Sequence, residues 1–300
     1  MQRRLFSIFF CAFLAFSLIT NGGCTKAGNL IKAVAPGKPG PKKRVLVLPL
    51  SDRAGLAPQV LDKLNGDFVT LMRASTRLVV SEPTSLFLQG ENMKNLSRGA
   101  ASSSGAVQKA REMGIQTVIS GVINAVEISP KKTGIWPFRR SKKAYQISLL
   151  ADVFDTTTRT LVESSLVQGE LLLEVEEGVD HNINEITEQL ASEVMPRLIK
   201  KQADTVKKRI DALPWAGMIL AVTEQGIEIT GGEDLGIRNG DLFDVYTEGE
   251  EIIAGSGKPV YLMGKRLGTA KVVSVMSDRA TAVPVGAASF SEGKVVYYRH

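Results

Sequence analysis

"AREMGIQTVISGVI", residues 110–123, sets the fold class. Val107, Ala110 and Met113 recur at helical spacing, which predicts a helix over about 99–113 with these three facing inward. Gly114 stops it. "IQTVISGVINAVEI" (Ile115–Ile128) follows and is predicted as one long strand, because its apolar content is nearly continuous.

The same alternation of helix and strand extends in both directions. Upstream, "RVLVLPLSD" (Arg44–Asp52) contains the apolar run Val45–Leu48, suited to a buried strand that Pro49 ends. Leu61, Leu64, Phe68, Leu71 and Met72 predict an amphipathic helix over about 57–73. "RLVVSE" (Arg77–Glu82) is a second strand. Downstream, Tyr145, Ile147, Leu149, Ala151 and Val153 alternate, "DTTTR" (Asp155–Arg159) turns, and Val162–Leu173 returns, which is a hairpin. A long helix begins near Asn182, where Asn182 and Glu185 have capping-box spacing. Ile183, Ile186, Leu190, Val194, Leu198 and Ile199 line one of its faces, and Pro196 is expected to kink or divide it. The helix runs to a boundary near Leu213–Gly217. Beyond it only short strand patterns appear, parted by Gly-rich turns. The expected class is α+β: a mixed β-sheet with helices over 44–212, then a small all-β, barrel-like domain over 217–300.

The chain before Arg44 has another character. Arg3 and Arg4 precede the charge-free run "LFSIFFCAFLAFSLIT" (Leu5–Thr20), and Gly22, Gly23 and Cys24 close it. A basic start, an apolar stretch and small residues predict a signal peptide over 1–23. The run falls short of the ~20 apolar residues a transmembrane helix needs. Residues 25–43, rich in Pro, Gly and Lys, read as a tether. The whole stretch resembles a bacterial lipoprotein signal. That resemblance implies a lipidated Cys24 as the first mature residue. Thr25, where Asp would favour retention at the inner membrane, implies the periplasmic face of the outer membrane.

Composition narrows the chemistry. The formal net charge of +6 falls to +4 once Arg3 and Arg4 leave with the leader, too mild and too scattered for a nucleic-acid binder. Cys11 and Cys24 are the two cysteines and His181 and His300 the two histidines. Thiol catalysis, CxxC chemistry, His-based triads and Cys/His metal sites lose their residues, while carboxylate-only chemistry survives. "AGSGKPV" (Ala254–Val260) fails as a phosphate loop, because Ile252 stands where its first Gly belongs and Pro259 where Ser or Thr belongs. "GGEDLG" (Gly231–Gly236) lacks the alternating oxygen ligands of a calcium loop and reads as a turn. Glu174, Glu176 and Glu177 read as a solvated connection. No catalytic residue, metal or cofactor is expected. "SPKKTGIWPFRRSKK" (Ser129–Lys143) is the one candidate contact, with Trp136, Phe138, Arg139 and Arg140 at its centre. Two readings stay open there: an exposed aromatic–basic tip that meets protein, lipid or glycan, or a hairpin whose Trp folds back onto the sheet.

Pro49, Glu82, Ala110, Gly114, Val118, Ile119 and Gly121 carry a further likeness. Over about 44–212 the chain resembles envelope domains: the amino-terminal domain of the Tol translocation protein B, the curli secretion lipoprotein, the lipoprotein activators of penicillin-binding proteins, and the middle domain of flagellar assembly protein T. Gly232, Gly236, Ile237, Gly240, Asp241, Phe243, Val245 and Tyr246 resemble a signature of the carboxy-terminal domain of that flagellar protein. Gly236 and Gly240 are read as turn formers and Asp241 as an acceptor of backbone N–H groups. The resemblance implies a non-catalytic lipoprotein that supports assembly of a flagellar, secretion or curli-type structure. Its implied partners are the outer membrane, through the lipid anchor, and envelope-assembly proteins. A homo-oligomer stays open and no nucleic acid is expected. The alternative is a module that binds peptidoglycan or regulates its synthases, or a carboxylate-dependent cell-wall enzyme. No pore is expected, because neither connection in the first domain shows the ~9–11 alternating residues of a spanning strand.

Overall fold

Strand β1 (Lys43–Val47) lies inside a sheet because Val45–Leu48 are all buried. Val45 and Val47 join one apolar cluster and Leu46 and Leu48 another, so both faces of the sheet carry cover. The computed structural model describes residues 40–83, 105–174, 182–253 and 259–299. After β1 come the short strand β2 (Ser51–Asp52), helix α1 (Pro58–Arg73) and strand β3 (Leu78–Ser81). Helix α2 (Gly105–Glu112) leads into β4 (Thr117–Ile123), β5 (Glu127–Thr133), β6 (Arg140–Asp155) and β7 (Thr160–Glu174). β3, β1 and β4 run parallel, and β6 closes antiparallel on β4. β2 pairs with β4, while β5 and β7 pair antiparallel with β6.

The joint at Ala110–Ile115 is a Schellman motif. Ile115 N donates to Ala110 O and Gly114 N to Arg111 O, both at 2.9 Å. Gly114 takes φ +70°, a conformation that side chains rarely adopt. Met113, expected inside, is 56% exposed. It follows the last helical residue, Glu112, so the helical phase no longer directs it. Residues 99–104 of the expected helix lie outside the described residues.

The expected single strand Ile115–Ile128 is interrupted. Ile123 pairs with Leu149 and Glu127 with Gln146, which leaves one residue in excess at Asn124–Val126. This is a β-bulge, held where Asn124 N donates to Ser148 O at 2.9 Å. β5 then continues along the same edge of β6.

Two further expectations need correction. Lys43, read as tether, begins β1 and is 3% exposed. Its Nζ donates to the carbonyls of Ile210 at 2.5 Å, Asp211 at 3.2 Å and Leu213, closing the C-terminal end of a later helix. Ile183 is 43% exposed, because it is the first residue after the cap and precedes the face that packs.

Helix α3 (Ile183–Gln189) is capped by Asn182, whose Oδ1 accepts from Asn184 N at 3.0 Å. A π-helical turn, Leu190–Val194, separates it from α4 (Met195–Ala212). The long helix is thus divided just before Pro196, which has no N–H for the ladder. This wide turn rests on Gly169 of β7, where a Cβ would lie 2.5 Å from Val194 Cγ1. α1, α3 and α4 cover one face of the sheet, and α2 covers Leu46, Leu48, Val118 and Phe154 on the other.

The remaining strands are β8 (Ala216–Thr223), β9 (Gly226–Thr230), β10 (Leu242–Tyr246), β11 (Glu251–Ile253), β12 (Pro259–Tyr261), β13 (Arg266–Val275), β14 (Arg279–Val285) and β15 (Val295–Arg299). A closed barrel runs β10-β13-β14-β9-β8-β15, and β11 pairs with β12 as a hairpin. Residues 254–258, most of the glycine stretch, lie outside the described residues. Trp215, Ile219, Ile229, Phe243, Val245 and Val296 fill the barrel, with the Trp215 and Phe243 rings 5.2 Å apart. Residues 233–235 form a 3-10 turn. Gly236 and Gly240 take φ +79° and +91°, and Asp241 Oδ2 accepts from Arg238 N at 2.8 Å, as the sequence suggested. The class is therefore α+β, a mixed sheet with helices and a small closed barrel. Residues 40–300 cluster as one compact unit. Lys42 pins its two parts: its N–H donates to Leu235 O at 2.7 Å, and its carbonyl accepts from Trp215 Nε1 at 3.0 Å.

Candidate contact site

β6 outruns β4, and its first half carries β5 as a hairpin arm. Pairing extends to Thr133 opposite Arg140, so residues 134–139 form the tip. Phe138 N donates to Ile135 O at 2.7 Å across the turn, whose Trp136–Pro137 peptide is cis. Ile135, Trp136 and Phe138 are 85%, 77% and 82% exposed. Trp136 therefore does not fold back onto the sheet. Arg139 and Arg140 are exposed beside them.

The charge at the tip is partly balanced from β7. Lys131 pairs with Glu170, and Arg140 and Lys142 share Glu174 at 3.3 and 3.7 Å. Ser129–Lys143 itself holds six cations and no Asp, Glu, His or Cys. It can attract anions and bury aromatic surface, and it lacks the side chains commonest in proton transfer. Glu174 is thus an ion-pair partner, while Glu176 and Glu177 lie outside the described residues. So do Cys24, His181 and His300.

The structure also brings together a cluster that sequence reasoning missed. Glu248, just past β10, accepts from Arg111 of α2 at 2.8 Å and from Arg159 of the β6–β7 turn at 3.1 Å. The Arg111 hydrogen bond holds the Glu248 carboxyl below its usual range, against the opposing effect of burial, and both guanidinium charges add to it. Nearby, burial pushes the Asp155 carboxyl up and the Tyr297 hydroxyl up to about 12. Arg111 and Glu248 stand 137 positions apart, so no local pattern announces them. The cavity beside this joint measures about 10 Å³, the lower limit for one water, and admits no substrate. It is a structural seam.

Wider depressions lie elsewhere among the described residues. One of about 160 Å³ lies between α1 and the π turn, lined by Val60, Leu64, Ala191 and Pro196 among others. Another, about 530 Å³, is a shallow hollow on the barrel between residues 236–239 and Ser274–Val275. Among the described residues no cluster of His, Cys, Asp or Glu could hold a metal ion, and no helix is long and apolar enough to cross a membrane.

No family model matches the chain, and no curated protein matches it. Distant likenesses exist among solved structures. A hypothetical protein from Chlamydia trachomatis is 11% identical, covering 57% of this chain and 96% of its own, at a TM-score of 0.34. The PelC dodecamer from Paraburkholderia phytofirmans is 14% identical over 58% and 91%, at 0.30. A lipoprotein from Neisseria meningitidis is 13% identical over 52% and 96%, at 0.28. At that distance the likeness assigns neither family nor activity.

Proposed function

We propose that this chain is a non-catalytic lipoprotein on the periplasmic face of the outer membrane that supports assembly of a cell-envelope structure through protein–protein contacts. Cys24, after Gly22 and Gly23, is its lipid attachment point, and the resemblance to envelope-assembly domains over 44–212 and at Gly232–Tyr246 supports the role. The carrying observation is the exposed Trp136–Phe138 tip on a hairpin arm, an aromatic and basic surface outside the core that suits a role at the envelope. Half-exposed Leu220 and Val222 on β8 offer a second apolar surface on the barrel.

Purification of the native chain from detergent-extracted membranes, with mass spectrometry of its companions, tests this. Envelope proteins that return in each preparation are the expected result. Their absence under mild cross-linking counts against an assembly role. A second reading, a peptidoglycan-binding module, draws on the exposed indole and phenyl rings, which can stack on sugars. Incubation with purified sacculi separates the classes: pelleting without turnover supports a glycan-binding module, and release of soluble fragments supports an enzyme.

A further inference from the structure

The tip carries three exposed apolar side chains within four residues, at the end of the β5–β6 hairpin, which outruns the β7 pairing at Lys142. Six cations flank them on both strands, and the carboxylates of Glu170 and Glu174 answer Lys131, Arg140 and Lys142. An exposed aromatic tip ringed by Lys and Arg matches the interface of a bilayer, where Trp sits at headgroup level and cations meet phosphates. Each cation near an anionic leaflet strengthens binding about fivefold.

Geometry also indicates which surface. β6 has 16 residues and spans ~50 Å, with Asp155 at one end and the tip beyond Arg140 at the other. Asp155 pairs with Thr117, which pairs through β1 with Val45, so the chain enters the body at the end opposite the tip. Cys24 to Pro39 is 16 residues, which keeps Gly40 within ~55 Å of the lipid even when fully extended. The tether's reach thus matches the ~50 Å of β6, and tilting of that strand can bring its tip back to the leaflet that holds the anchor. Attachment makes this second contact intramolecular, at an effective concentration on the order of millimolar.

We infer that the hairpin tip is a second membrane contact: Ile135, Trp136 and Phe138 enter the interface of the anionic phospholipid leaflet that holds the Cys24 lipid, and Lys132, Arg139 and Arg140 lie over its phosphates. This rests on the lipid-anchor reading and leaves protein contacts to the rest of the surface.

The full, lipidated chain in vesicles with brominated acyl chains supplies the test. The chain has two tryptophans, and Trp215, 5% exposed inside the barrel, serves as the internal reference. Brominated phosphatidylglycerol is expected to quench Trp136 emission several-fold more than brominated phosphatidylcholine, and high salt to weaken that quenching. Trp136→Phe should abolish it, and Arg139→Ala with Arg140→Ala should reduce it. A vesicle-bound chain whose emission is unquenched, or equally quenched in both lipids, overturns the inference. So does shielding of Trp136 by purified sacculi without quenching by lipid. Failure of the anchor reading shows separately, as a chain that takes up no labelled palmitate. That chain is then added from solution to the same vesicles, and the quenching still decides.

Discussion

At Glu248 one carboxylate answers two guanidinium groups from different parts of the sheet and its helices. Arg111 is 5% exposed and its Nε has no hydrogen-bond partner among the described residues, so it depends on this acceptor. Glu248 is half exposed, which screens the pair. Glu248→Gln is expected to cost about 1–2 kcal/mol at neutral pH, below the full penalty for breaking a buried pair. The sign with pH follows from the lowered carboxyl. Its contribution is complete above 4.5, its ordinary value, and is lost as pH falls through the lower folded-state value. Denaturant melts should therefore show wild type losing its advantage over Glu248→Gln below pH 4.5. An advantage that persists in acid would remove the ion pair from the account. At this scale the sequence revealed what is local. Asp241 was legible because its acceptor role lies within three residues of Arg238. Lys43 was not, because the carbonyls it holds come from a helix end 167 or more positions away.

The hairpin arm separates contact from stability. Trp136 and Phe138 touch no core, and surface changes of that kind usually stay within about 0.5 kcal/mol. Trp136→Ala with Phe138→Ala is expected to move the melting temperature by about 1–2 °C at most. A loss of many degrees would instead report a buried ring, whose truncation costs ~3–5 kcal/mol. Scanning calorimetry of the double variant decides between them. Both readings of the loop were open in the sequence because a polar, basic hairpin does not state which way its aromatics turn. The bulge at Asn124–Val126 was hidden for a related reason. "GVINAVEI" keeps its apolar content across the bulge, so nothing marks where the pairing gains a residue. By contrast, Pro196 announced the divided helix, since a missing N–H interrupts any helical ladder.

On the scale of the whole molecule, the closed barrel raises the question of a channel. Its axis is filled: Phe243, Ile229 and Val296 are fully buried inside it. Its strands include several of five residues, against the ~9–11 that cross a bilayer. Planar bilayers exposed to the purified chain are expected to show no steady conductance, and stepwise openings would contradict the closed packing. The barrel was legible as a class from its Gly-parted strand patterns, while its closure order was not, because β8 and β15 are neighbours only in three dimensions. The proposed attachment of this unit to a membrane turns on Cys24. An apolar run that ends in Gly22, Gly23 and Cys24 predicts processing before the cysteine and acylation of its thiol. A single chain gives only marginal membrane binding, so stable attachment needs several acyl chains or a second contact. Globomycin, an inhibitor of lipoprotein processing, should accumulate the precursor. Cys24→Ala should leave the chain uncleaved or release it from membranes. Labelled palmitate should enter wild type and not Cys24→Ala, and a wild-type chain that never takes up the label has no lipid anchor at this position.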